Sequence, residues 1–74
     1  MKDYRIKYYL NSEGGELIRT EYRMCKRDAN VLRVVATFAQ YYTIQSIRFA
    51  IDRYVTQVFV VLNKDLPSSE NNPW

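Results

Sequence analysis

The sequence contains no histidine, one cysteine, two glycines and two prolines in 74 residues. Without histidine, Ser-His and Cys-His nucleophilic catalysis and the commonest transition-metal ligand are excluded. With Cys25 alone, zinc fingers and disulfide scaffolds are excluded as well. Long apolar runs are also missing. The longest uncharged stretch, residues 34–47, is interrupted by Thr37, Gln40, Thr43, Gln45 and Ser46, and is too short and too polar to cross a bilayer. Met1-Lys2-Asp3-Tyr4-Arg5 leads into alternating charge instead of an apolar signal segment. That start, with a single cysteine, predicts no secretion signal and a reducing cytoplasm as the location. Gly14-Gly15 lacks the lysine and Ser/Thr of a phosphate loop and sits between two expected strands. Neither a cofactor nor a metal is expected.

What is present fits a folded domain. Hydrophobic residues make up 47% and charged residues 26%, with eleven Lys plus Arg against eight Asp plus Glu and a formal charge of +3. A chain this small buries only roughly 60% of its unfolded surface, enough for one thin core and not for a catalytic cleft between domains. Seven of the aromatic residues are tyrosines. Their hydroxyls need a partner or water when buried, which predicts several at the surface.

Hydrophobic periodicity sets the organisation. Tyr4, Ile6, Tyr8 and Leu10 alternate with Arg5, Lys7 and Tyr9, which predicts a half-buried strand. Residues 11–16, with both glycines, read as a hairpin loop. Residues 17–27 alternate again, with Ile18, Tyr22 and Met24 expected toward the core and Arg19, Glu21, Arg23 and Cys25 on the opposite face. Val31, Val35, Phe38 and Tyr42 recur at helical spacing, and Asp28 is placed to cap that helix. Residues 43–62 fit either a continued helix or two strands. The β-branched and aromatic residues of 54–62 favour strands at about 43–51 and 54–62. The expected fold is therefore α+β: a single ββαββ domain over residues 1–65, with an antiparallel sheet of about four strands and one helix on one face. Prolines, serines and asparagines mark 66–74 as a flexible tail ending in Trp74.

One helix covers one face of a sheet, so the other face is where a partner is expected. The last strand is apolar on both sides, Val55, Gln57, Phe59 and Val61 on one and Tyr54, Thr56, Val58, Val60 and Leu62 on the other. The chain has no second helix to cover it. A non-enzymatic protein-binding module follows, a regulator or inhibitor of another protein or a homo-oligomer, contacting its partner through Tyr9, Arg19, Arg23, Arg48, Phe59 and Val61. The alternative is a nucleic-acid-binding face in which Arg5, Lys7, Arg19, Arg23 and Arg48 track phosphates and Tyr9 stacks on a base. Residues 1–27 hold seven basic and four acidic side chains, and Glu21 falls among the arginines. So weak a bias ranks nucleic acid second. The carboxylates are scattered and no catalytic pair is expected.

Overall fold

A computed structural model describes residues 1–63 of the chain. The elements are β1 (Lys2–Leu10), β2 (Glu16–Cys25), α1 (Asp28–Phe38), a 3₁₀ turn at Ala39–Tyr41, β3 (Thr43–Ile51) and β4 (Thr56–Asn63). The α+β class and the ββαββ order are those expected, and residues 43–62 form two strands instead of a continued helix. The proposed tail, with Leu66 and Trp74, lies outside the described residues, as do Lys64 and Asp65.

The sheet is mixed where an antiparallel one was expected. Its order is β2-β1-β4-β3, with β1 and β4 parallel at the centre and each flanked by its antiparallel hairpin partner. The connection between the hairpins carries the chain across the sheet, so that β4 returns beside β1 and not beside β2. A central parallel pair is shielded best, which fits the apolar run of β4. Val58, Val60 and Leu62 are fully buried toward the helix, opposite Ile6, Tyr8 and Leu10.

The helix contributes Val31 and Val35 to this core, followed by Ala39. It lies along β1: the Tyr4 hydroxyl donates to the Asp28 carboxylate (2.7 Å) at one end, and Phe38 meets the Tyr8 ring (centroids 4.3 Å apart) at the other. Asp28 is not the cap. Arg27 occupies that position in extended conformation, and its amide donates to Asn30 Oδ1 (3.1 Å). Asp28 is instead the first helical residue. Its charge still meets the positive end of the helix while serving Tyr4. The helix ends four residues short of Tyr42, because the chain tightens into the 3₁₀ turn before entering β3.

The β1–β2 loop is closed by the Gly15 amide donating to the Ser12 carbonyl (2.9 Å), with Gly14 at φ +83° inside the turn. A side chain there would be strained. A bulge opposite Tyr8 and Tyr9 gives β2 one extra residue, Ile18, between Leu17 and Arg19.

Candidate functional site

Register sorts the side chains of interest into two groups. Arg5, Lys7 and Tyr9 of β1 lie on the helix-free face, together with Gln57, Phe59 and Val61 of β4 and Ser46, Arg48 and Ala50 of β3. On β2 the parity from Arg19 onward is the reverse of that expected, while Ile18, in the bulge, packs against the core as expected. Arg23, Glu21 and Arg19 stand opposite Tyr4, Ile6 and Tyr8, so they share the helix face, and Tyr22 and Met24 occupy the helix-free face. Arg19 shows this directly, its guanidinium lying 5.3 Å from the centroid of the Phe38 ring. The six residues expected to form one partner face are thus divided, with Tyr9, Arg48, Phe59 and Val61 on one side of the sheet and Arg19 and Arg23 on the other.

The parity was legible. Cys25 belongs to the arginine side of the β2 alternation, and only two residues separate it from the helix. Cysteine is among the residues most often buried, and here it closes the core beneath the start of α1. Weighting it as a core residue turns Arg19, Glu21 and Arg23 to the helix side.

On the helix-free face the chain covers its own apolar groups. The Arg48 guanidinium lies 4.5 Å from the Phe59 ring centroid and is held by the Glu13 carboxylate through two hydrogen bonds, Nη2 to Oε2 (2.6 Å) and Nε to Oε1 (3.1 Å). The Arg48 hydrogen bonds draw the Glu13 pKa below its ordinary value and raise that of Arg48. Val61 is buried and Tyr9 half-buried. The apolar surface expected to need a second chain is thus partly shielded from within.

On the helix side of β2 lies a groove of about 380 Å³ between strand and helix, lined by Arg19, Glu21, Arg23, Arg33, Val34, Thr37 and Phe38. Glu21 pairs with Arg23 (2.7 Å) and Arg19 (3.6 Å). The Tyr8 hydroxyl is buried with no hydrogen-bond partner among the described residues, its pKa pushed up to about 12 by burial first and by Glu21 next. Burial, helped by its hydrogen bond to Asp28, likewise raises Tyr4 to about 12.

A second cavity, of about 360 Å³, lies at the far end of β2. Asp3, Tyr4, Tyr22, Arg23, Met24, Tyr54 and Val55 line it. Tyr22, Met24 and Tyr54 are 71%, 64% and 82% exposed, large apolar side chains gathered around one hollow. Sequence reasoning missed this cluster, because Tyr22 and Met24 were assigned to the core and Tyr54 belongs to the turn before β4.

Among the described residues no group of three or more His, Cys, Asp or Glu side chains could hold a metal ion. Nor is any helix there long and apolar enough to cross a membrane. No protein-family model, curated protein or solved structure matches the chain.

Proposed function

We propose that the chain is a non-enzymatic protein-binding module that acts as a regulator or inhibitor through the margin formed by β2. The observation that carries this reading is the cluster of Tyr22, Met24 and Tyr54 around an apolar hollow. Exposed apolar groups that converge on a concavity are the usual anchors of a protein interface, and tyrosine combines large contact area with few rotatable bonds. Arg23 and Arg53 supply a polar rim; Arg53 lies 6.0 Å from the centroid of the Tyr54 ring.

The nucleic-acid reading draws less support from this geometry. Arg5, Lys7 and Tyr9 stand on the opposite face from Arg19 and Arg23, and Arg48 is engaged by Glu13. A single strand tracking one face meets only part of the basic set.

Capture from the native cell tests the proposal, with immobilised wild type beside Tyr54→Ser and Met24→Ser and each sample divided with and without nuclease. Nuclease-resistant capture of the same protein by wild type, lost with both folded variants, is the expected result. Capture that disappears with nuclease, or that both variants retain, contradicts it. Sedimentation of the free chain shows whether the partner is a second copy.

A further inference from the structure

We propose that the free edge of β2 and the groove beside it accept an extended acidic peptide as a fifth strand. This rests on reading the chain as a protein-binding module, and it names a second site that adjoins the Tyr22–Tyr54 hollow at Arg23, and the kind of segment that enters it.

Among the described residues β2 pairs with β1 alone, so its outer edge presents backbone donors and acceptors that no described strand pairs, along a ten-residue strand. Such an edge is a template for another strand. Beside that edge, on the helix side, Arg19, Glu21 and Arg23 project at alternate positions, and Arg33 faces them from α1. Three guanidiniums against one carboxylate leave the groove cationic. The Arg33 guanidinium has no partner among the described residues. Glu21 holds the other two arginines in place while occupying the middle of the row.

This order of charges dictates the pattern of the incoming strand. Side chains on one face of a strand recur every second residue. Acidic residues opposite Arg19 and Arg23 are therefore separated by four positions, and the residue midway between them faces Glu21 and must be uncharged. Val34 and Phe38 also line the groove, so an apolar side chain suits the uncharged position. The pattern is acidic–x–apolar–x–acidic. A nucleic-acid backbone carries a charge at every nucleotide and cannot leave the central position neutral, and it does not satisfy the edge amides of β2. A peptide does both.

The full chain is titrated with a fluorescent peptide of sequence Val-Thr-Glu-Val-Ile-Val-Glu-Thr-Val. Three further probes run beside it: the same peptide with both acids replaced by lysine, the same with proline at the valines flanking isoleucine, and a thymidine oligomer. The acidic strand is expected to bind in a salt-sensitive manner, to slow amide exchange along β2 and to lose about tenfold in affinity with Arg33→Ala, the scale of an interface anchor. Arg33 is exposed on the helix and its replacement leaves the core intact. Equal binding of the lysine or proline peptide, tighter binding of the oligomer, an unchanged affinity with Arg33→Ala, or self-association of the chain through β2 overturns the proposal. If the acidic strand fails while capture through Tyr54 and Met24 persists, this site is wrong and the proposed function stands.

Discussion

β2 and β3 are the two margins of one sheet and nearly equal in length, yet they end the core in different ways. β3 turns Ile47 and Phe49 toward the helix, and both pack on the buried cluster. Its other face is fastened by Arg48 lying on Phe59 and tied to Glu13. β2 turns Arg19, Glu21 and Arg23 toward the helix, with Ile18 packed against the core at one end and Cys25 buried at the other. The helix is placed along β1 by Asp28 and Phe38, and Arg33, Val34, Thr37 and Phe38 face β2 across the groove. What fills the space at each edge is decided by the strand's own side chains. Apolar residues close the core at β3, and charged ones leave a groove at β2.

The largest test of this contrast is thermodynamic. Phe49→Ala should cost about 2–4 kcal/mol, because it opens space beside the core. Tyr22→Ala should stay within about 0.5 kcal/mol, as an exposed substitution does. Denaturant unfolding of both variants measures the difference. Equal losses would mean that β2 is as much a part of the core as β3.

The two buried tyrosines of β1 sharpen the comparison at the helix boundary. Tyr4 has a partner in Asp28, and Tyr8 has none among the described residues. Tyr4→Phe should therefore destabilise by about 1–3 kcal/mol, since its acceptor is charged. Tyr8→Phe should leave stability unchanged or raise it by about 1 kcal/mol, since it removes a hydroxyl buried without a partner. A loss with Tyr8→Phe as large as that with Tyr4→Phe would refute this assignment.

Both hydroxyls carry a pKa raised from 10.0 to about 12, so the folded chain holds their protons more tightly than the unfolded one. Burial penalises their ionised forms, so neither hydroxyl weakens the fold by ionising below pH 10, and stability declines as the pH rises toward 12. Ultraviolet titration should show two tyrosines ionising near pH 12, and Tyr4→Phe should remove one of them.

The smallest effect belongs to the β3 clamp. Arg48→Ala should cost less than Phe49→Ala or Tyr4→Phe, because the ion pair is exposed and screened by salt. The lowered pKa of Glu13 means that its contribution is present above the ordinary value of 4.5 and is lost as pH falls through the depressed folded value. The stability gap between wild type and Glu13→Gln should close on acidification and shrink in high salt. A gap independent of both contradicts the clamp.

Much of the fold was legible because periodicity depends on local spacing. Alternation placed Tyr4, Ile6 and Tyr8 on the core side of β1, and β-branched residues separated β3 and β4 from the helix. The parallel pairing of β1 with β4 was not legible, since it depends on where the second hairpin docks, and the spacing within β4 is the same on either side of β1. The face assignment of β2 failed for a related reason. Tyr22 and Met24 are more apolar than Arg19 and Arg23, and burial was read from side-chain type. The position of Cys25 beside the helix carried the deciding information. The Glu13–Arg48 clamp joins a loop to a strand 35 residues away in sequence and left no local trace.

The central claim is that the β2 margin, and not β3, receives a partner. Amide hydrogen exchange of the chain, free and with the protein it captures, tests this most directly. The account predicts slowed exchange along residues 17–24 and around Tyr54, with residues 43–51 unchanged. Protection confined to β3, or to the Arg5, Lys7 and Tyr9 face with β2 unaffected, would contradict it.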